Sequence, residues 1–306
     1  MDYKGGNTLI PNMKFYVISI VAIFAALGIG VYIGFTLDTN SFIVEQKEDI
    51  ATKLEERFDF LKSENQEIKK ELKEIDKEND EYKYFISSTY EEIIKGRLEG
   101  MKIAIIETKS DYMYSGIGQV LDIANASITS ITTLNDKIMD EEMLNTIYDD
   151  LDIPVPTDGI IPNSIKELTE SLIIGEETKL IKKLIENNSV DIVGDTNQPI
   201  DYIIIAGGSI KEDKKRLSLV DQTIINMAKD KDMPLVGIEK LVVNYSYIPT
   251  YKNLKISTID NVDTLIGKIS LILTIEGRPG HYGSKPTAEE LFPNLNTPAL
   301  KSSKER

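Results

Sequence analysis

The hydrophobic pattern of this chain begins with an uninterrupted apolar run close to its N-terminus. From Phe15 to Leu37 no side chain is charged. At about 1.5 Å per residue, a helix of this length crosses a hydrocarbon layer of roughly 30 Å. A cleaved secretory signal has a shorter apolar core and a small-residue cleavage site, and a buried core helix of a soluble domain is seldom this long without a polar face. The run therefore predicts a transmembrane helix over 15–37, with those two alternatives left open.

The short flanks of this run predict its orientation. Lys4 and Lys14 precede it, whereas the segment that follows is mainly acidic. Because positive flanks stay on the cytoplasmic side, we expect residues 1–14 to form a cytoplasmic tail in a single-pass plasma-membrane protein. The remainder of the chain then lies outside the membrane. Met13 is as natural a translation start as Met1.

Small residues recur along one side of the predicted membrane helix. They are spaced by four, which lets two helix backbones approach closely, although small residues are also common in any spanning helix. We interpret them as a candidate dimerisation stripe, made of Ala22, Ala26, Gly30 and Gly34.

A seven-residue repeat of apolar positions follows and predicts a coiled coil over 42–95. Its d positions are Leu54, Leu61, Ile68, Ile75 and Tyr82, and its a positions are Phe58, Asn65, Leu72, Asn79 and Ile86. A long solvated helix that folds back on its own domain is the alternative.

The two asparagines of the seam indicate a parallel homodimer. An amide at an a position is satisfied best by its counterpart across an in-register pair, at some expense in stability. Charged residues flanking the seam give no clear preference, because attraction between Glu64 and Lys69 is opposed by repulsion between Glu71 and Asp76. We therefore expect Asn65 and Asn79 to select two strands.

Beyond the coiled coil, apolar strands alternate with helices and predict an α/β fold. Continuous apolar strands are typical of a parallel sheet covered on both faces, so we expect a Rossmann-like doubly wound domain over 101–283. The prolines and polar residues of 284–306 predict a flexible C-terminal tail. The predicted strands are 102–107, 127–133, 202–206, 234–238 and 254–257, and the predicted helices are 114–124, 216–230 and 262–276, with a mostly helical section over 141–188.

Two glycine pairs could bind a phosphate at the edge of such a sheet, but neither completes a known nucleotide-binding motif. Gly116-Ile-Gly118 lacks the third glycine of a dinucleotide fingerprint, and Gly207-Gly208 directly follows a strand without further signature. A plain turn fits either of them as well. The sequence has no Walker loop, nucleophile elbow or metalloprotease helix, and we expect no enzymatic activity and no cofactor.

Composition argues against direct copper handling and against nucleic-acid binding. Copper prefers thiolate, thioether or imidazole ligands, yet the chain has no cysteine, one histidine and eight scattered methionines. Met139 and Met143 share a helix face, which is typical of packing. With 50 acidic against 35 basic residues, the chain repels anionic polymers, whereas a protein partner with a basic face is compatible.

Two C-terminal segments carry a resemblance to a known family. Ser257-Thr-Ile-Asp-Asn-Val-Asp-Thr264 and Gly280-His-Tyr-Gly283 resemble the bacterial copper transporter family of envelope proteins (MctB/SteB-like). The resemblance implies a short inside tail, one spanning helix, a coiled coil and a Rossmann-like outer domain, in this order. It also implies one of two functions: copper transport or tolerance, or regulation of peptidoglycan hydrolysis during cell separation together with a SteA-like partner.

The first of these segments predicts a helix start. Asp260 or Asn261 could cap a helix that begins near Val262, Asp263 would lie in its first turn, and Gly267 would allow close packing.

The second segment predicts a tight turn. Gly280 and Gly283 would present His281 and Tyr282, either as a contact for a partner or packed against the sheet.

Taken together, the pattern favours a dimeric, membrane-anchored scaffold that acts through an envelope protein partner. Copper transport is the alternative, and a small-molecule sensor at Gly207 and Gly208 is a third hypothesis.

Overall fold

The computed structural model describes residues 13–157 and 159–299, without the side chains of 38–49. The predicted tail 1–14 lies almost wholly outside these residues. The chain divides into two compact units, Met1–Glu81 and Tyr82–Arg306.

Within the first unit the described residues belong to one helix, α1, which runs over Met13–Ile94 and ends in the second unit. Its segment Met13–Leu37 is long and apolar enough to cross a membrane, with a mean hydropathy of 2.4. The a and d side chains of the predicted seam are exposed in the single chain except for Ile86, which is partly buried against the core of the second unit. The dimeric coiled coil stays a prediction.

The last turns of α1, from Tyr82 to Ile94, belong to the second unit. Ile94 is completely buried in its core, and Leu98 follows it there. Gly96 and Gly100 then adopt positive φ angles of 69° and 76° and turn the chain into the first strand. The end of the predicted coiled coil over 42–95 therefore also packs against the core of the domain.

The second unit alternates strands and helices. The strands are β1 Lys102–Glu107, β2 Ser127–Leu134, β3 Val190–Gly194, β4 Tyr202–Ala206, β5 Leu235–Ile238, β6 Ser257–Ile259 and β7 His281–Tyr282. The helices are α2 Ile117–Ile123, α3 Glu141–Asp150, α4 Ile160–Ile174, α5 Lys179–Glu186, α6 Lys214–Arg216, α7 Gln222–Asp230, α8 Ile248–Asn253 and α9 Leu265–Glu276, with a 3₁₀ turn at Asp136–Met139 and a π turn at Leu217–Asp221.

The sheet has the strand order β3-β2-β1-β4-β5-β6-β7. Every pairing is parallel except that of β2 with β3. Apart from the reversed β3 and the added β7, this is the order of doubly wound sheets, in which the direction of winding changes between β1 and β4. The expectation of an α/β fold with a mainly parallel sheet is confirmed.

Alternate residues of the central strands enter two cores, one on each face of the sheet. On β1, Ala104 and Ile106 pack with α3, α4, α5, α7 and α8, whereas Ile103 and Ile105 pack with α2, α9 and the end of α1. Burial on both faces explains why these strands are continuously apolar.

The segment 284–299 is bonded to the domain, so the predicted flexible tail over 284–306 is wrong for the described part. The backbone N–H groups of Gly283 and Glu289 donate to Glu290 and His281 at 3.0 and 2.8 Å, and Arg278 Nε donates to the carbonyl of Thr297 at 3.0 Å. These backbone bonds hold a segment that has no apolar periodicity of its own. Residues 300–306 lie outside the described residues.

Candidate functional site

The carboxyl edge of the parallel strands is the place where open α/β sheets bind ligands. Here the strands β1, β4, β5 and β6 end at Glu107, Ala206, Ile238 and Ile259. Buried polar and charged residues follow three of these ends directly: Thr108, Glu239 and Asp260. This carboxyl edge is therefore the candidate ligand-binding site of the domain.

Tyrosine side chains fill the crevice between β1 and β4. The hydroxyl of Tyr114 donates to the carbonyl of Gly207, and Tyr251 is completely buried beside them. A Cβ at Gly207 would lie 2.2 Å from the Tyr251 hydroxyl, and one at Gly237 would lie 2.4 Å from its ring. These glycines make room for Tyr251. The tyrosine side chains therefore occupy the space that the sensor hypothesis at Gly207 and Gly208 requires for a small molecule.

A completely buried arginine joins the ends of the first two strands. Arg216 Nε donates to the carbonyl of Thr108 at 2.8 Å, and its Nη2 donates to the carbonyl of Leu134 at 2.7 Å. Asp136 lies 3.4 Å away, but its side chain is mostly exposed. The guanidinium thus donates to two carbonyls at the ends of neighbouring strands, which is a structural role.

Asp221 is the buried carboxyl of the same region. It accepts a hydrogen bond from the Tyr251 hydroxyl at 2.5 Å. Burial raises the pKa of Asp221 to about 7, although the bond from Tyr251 and the charge of Arg216 oppose the rise.

We expect Asp221→Asn to remove a pH dependence of stability. The ordinary pKa of 3.8 applies in the unfolded chain, so the folded state binds the proton more tightly. The stabilisation is complete below this value and is lost as the pH rises through about 7. Relative to the variant, the protein should lose about 4 kcal/mol across this window, measured by urea unfolding. Asp230→Asn, an exposed carboxyl at the end of α7, is the control; wild-type and Asp221→Asn curves that stay parallel would contradict the assignment.

A second buried charge group holds the segment after β7. Glu239 is completely buried, forms an ion pair with Lys285 and accepts from the backbone N–H of Tyr247 at 2.8 Å. Asp260 accepts from the backbone N–H groups of Ser284 and Lys285 at 2.8 and 2.9 Å. Both buried carboxylates therefore have partners within the protein, and together they attach the segment after β7 to the sheet.

The predicted cap of α9 is wrong. Thr264 is the N-cap and accepts from the backbone N–H of Gly267 at 3.0 Å, and α9 begins at Leu265. Asp263 precedes the helix and accepts from the backbone N–H of Leu241 at 2.7 Å. The predicted close packing at Gly267 is correct, because a Cβ there would lie 2.0 Å from the carbonyl oxygen of Asn261.

The predicted turn at Gly280–Gly283 is a strand. His281 and Tyr282 form β7 and pair with β6, and Tyr282 is buried. A Cβ at Gly283 would lie 1.9 Å from Asp260 Oδ1. Burial of Asp260, Asn261 and Tyr282 removes them as contacts for a partner, since their side chains pack inside the domain.

His281 is half-exposed on this strand. Its Nδ1 lies 2.9 Å from the hydroxyl of Thr258, and burial lowers its pKa. Within residues 13–157 and 159–299 no three His, Cys, Asp or Glu side chains form a group able to hold a metal ion. His281 therefore has no clustered co-ligands in this part of the chain.

Loops beyond the filled crevice are bonded into one surface. Ser209 and Tyr245 exchange both backbone hydrogen bonds at 3.0 Å. The backbone N–H of Asn244 donates to the hydroxyl of Tyr112 at 3.0 Å, and its amide Nδ2 donates to the carbonyl of Ile210 at 3.2 Å. The loops after β1, β4 and β5 are thereby fixed relative to one another.

This surface displays large apolar side chains to solvent. Met113 is 74% exposed and Val242 is 77% exposed. Isolated exposed apolar residues are ordinary, whereas exposed apolar residues grouped on one surface make that surface a candidate for protein interaction. We call this group the edge patch; it consists of Met113, Ile210, Leu241, Val242 and Tyr245.

Sequence reasoning missed the edge patch and the buried charges. Glu239 directly follows a predicted strand, and this position at the carboxyl edge was a usable signal. Arg216 and Asp221 lie in a predicted helix, where nothing in the local pattern marks them as buried. The edge patch comes from separate loops that lack periodicity.

The predicted dimerisation residues lie along α1. Nothing within 4 Å would meet a Cβ at Gly30 or Gly34. The small residues of the stripe and the a and d residues of the seam are exposed in the single chain, apart from the partly buried Ile86. Their pairing stays a prediction.

Comparisons with known proteins identify a family. No curated protein matches the chain. A crystal structure of an enoyl-(acyl-carrier-protein) reductase from Anaplasma phagocytophilum in complex with NAD is 12% identical; the match covers 64% of this chain and 74% of that chain at a TM-score of 0.24, too low to support any argument. The family model described as "Copper transport outer membrane protein, MctB" matches residues 10–293. Since this match covers nearly the whole chain, the protein belongs to the MctB family.

Proposed function

We propose that this chain is a non-enzymatic, membrane-anchored scaffold of the cell envelope that acts by contact with a protein partner. Its N-terminus is cytoplasmic, one helix crosses the plasma membrane, and the α/β domain lies outside. Two copies pair through the coiled coil. In the SteB-like form of this proposal, the partner is SteA-like and the output is control of peptidoglycan hydrolysis during cell separation.

The observation that carries the proposal is a contrast at the carboxyl edge of the sheet, between a crevice filled by side chains and an apolar surface just outside it. Tyr114 and Tyr251 occupy the crevice in which an open sheet would hold a ligand. Immediately outside it, the bonded loops display the edge patch to solvent. An edge that is closed to small molecules and apolar on its surface suits a protein partner better than a substrate.

The anchor and the exposed seam support the remaining parts of the proposal. Met13–Leu37 has the length and composition of a membrane span. The exposed seam side chains include Leu54, Phe58 and Leu61, which a partner helix would bury. Both copies would leave the same membrane in the same direction, which favours a parallel pair.

Charged substitutions in the edge patch should abolish partner contact without unfolding the domain. We expect Met113→Glu with Val242→Glu to remove crosslinks to the partner in intact cells and to impair cell separation, because charges would replace apolar contacts. Both side chains are exposed, so the melting temperature should change little.

Val193→Glu is the matched control for these variants. Val193 lies on β3, the outermost strand beside β2, and is 70% exposed. It should keep the crosslinks and cell separation. Equal loss in both variants, or full retention in the double variant, would contradict the proposed surface.

Copper transport is the second candidate, favoured by the description of the family model. The donors that copper prefers are scarce, since the sequence has one histidine and no cysteine. Titration of the full-length chain in detergent with Cu(I) decides between the two. Stoichiometric, tight binding that His281→Ala abolishes would favour copper transport over the scaffold.

A further inference from the structure

An apolar groove lies within the second unit, beside the last turns of α1. It has a volume of about 230 Å³. An apolar cavity of about 150 Å³ is large enough for benzene, so this groove can accept at least one large side chain. Its lining includes Ile86, Thr89 and Ile93 of α1, Ile266 of α9, and Phe292 and Leu295 of the C-terminal segment.

The side chains that line the groove offer no unsatisfied hydrogen-bonding group to a ligand. The hydroxyl of Thr89 already donates to the carbonyl of Phe85 at 2.8 Å. The other lining side chains are hydrocarbon. An apolar occupant is therefore required, and the groove has no feature that would orient a polar small molecule.

The heptad register indicates which apolar occupant fits. Continuing the repeat beyond Tyr82 places Ile86 at a, Thr89 at d and Ile93 at a. The same positions that form the seam upstream thus line the groove. In a parallel pair, a and d side chains face their counterparts on the partner helix, so the second copy meets the groove without any change of register.

Residues beside the seam change character at the same place. Nearer the N-terminus of α1, the g and e positions are charged, as in Glu78 and Lys83. The next g and e positions toward the C-terminus are the aromatic residues Phe85 and Tyr90. Phe85 is 65% exposed. In an in-register pair, Phe85 faces Tyr90 of the second copy, so an apolar contact replaces a charged one beside the groove.

The polar segment 301–306 does not fit the groove. Residues 301–306 read Lys-Ser-Ser-Lys-Glu-Arg and are all polar. Burying such a segment in an apolar groove would leave its polar groups without partners.

We infer that the groove is the C-terminal end of the dimer seam. A second copy closes it with the apolar face of its own α1, around Ile86 and Phe85. By two-fold symmetry, each copy closes the groove of the other. Phe292 and Leu295 then link the C-terminal segment to the dimer contact. This inference rests on the proposed homodimer and adds that the outer domain itself takes part in it.

Cysteine crosslinking tests this inference cleanly, because the natural chain has no cysteine. A disulfide forms only when two Cα atoms lie within about 7 Å of each other. In full-length protein in native membranes, we expect Leu72→Cys and Thr89→Cys each to give a disulfide-linked dimer. Ser88→Cys, at an exposed c position, should give none.

A second pair of variants tests the groove itself. Leu295 lines the groove and is 50% exposed, whereas Leu291 is 48% exposed and lies outside the lining. Leu295→Lys should raise the dimer dissociation constant by roughly tenfold, while Leu291→Lys leaves it unchanged.

Each outcome separates the two claims. Dimers through position 72 without dimers through position 89 overturn the groove inference and leave the coiled-coil dimer intact. Absence of both overturns the dimer in the proposed function as well. Equal effects of Leu295→Lys and Leu291→Lys would also overturn the role of the groove.

Discussion

Gly267→Ala is expected to lower the free energy of unfolding of the second unit by about 3 kcal/mol or more. The added Cβ would lie 2.0 Å from the backbone oxygen of Asn261 and 2.5 Å from its carbonyl carbon. Backbone atoms cannot rotate away as a side chain does, so α9 or the loop after β6 must shift. Chemical unfolding followed by near-ultraviolet circular dichroism measures the loss.

Gly118→Ala provides the matched control, since Gly118 is also a helical glycine. A Cβ there would meet Ile128 Cδ1 at 3.5 Å, an ordinary contact. Because alanine favours helix over glycine by about 1 kcal/mol, this variant should be neutral or more stable. A Gly267→Ala protein as stable as Gly118→Ala would contradict the packing described for α9.

The second large effect is expected for Arg216→Met, with a loss of about 3–5 kcal/mol. Methionine fills similar space but donates no hydrogen bond. The carbonyls of Thr108 and Leu134 would then be buried without these donors, and Asp221 would lose its neighbouring positive charge. The same unfolding measurement applies.

Lys215→Met is the control for this variant. Lys215 is the preceding residue, and its side chain is 65% exposed and pairs with Glu141 at 3.2 Å. Exposed ion pairs contribute little, so the stability should change by less than about 1 kcal/mol. If both variants lost the same stability, the buried role of Arg216 would be refuted.

The central strands were predictable because they are buried on both faces. Lys102–Glu107 and Tyr202–Ala206 have the predicted bounds. Their apolar residues run continuously, and burial in a parallel sheet is the physical reason. Helix α1 was predictable from the same kind of pattern, although its last turns proved to be part of the domain.

Elements that depend on distant partners were not predictable. β3 is a short edge strand with an exposed valine at Val193, and it forms because β2 offers a free edge. The predicted strand 254–257 was misplaced, since Leu254 follows α8 and β6 begins at Ser257. Local pattern alone does not reveal which segments meet across the sheet.

The candidate site was the least predictable part. Asp260 resembles an N-cap in sequence, yet its carboxylate binds the backbone of Ser284 and Lys285. That choice depends on the return of β7 to the sheet, which no local pattern encodes. The edge patch likewise arises only when the loops after three strands are brought together.

Site-specific photo-crosslinking at position 242 in living cells tests the central claim most directly. A crosslinker in place of Val242 should give a discrete covalent adduct with an envelope protein, and Met113→Glu should abolish it. The same crosslinker in place of Val193 should give none. Absence of an adduct at position 242, or the same adducts from both positions, would contradict a role for this surface in partner binding.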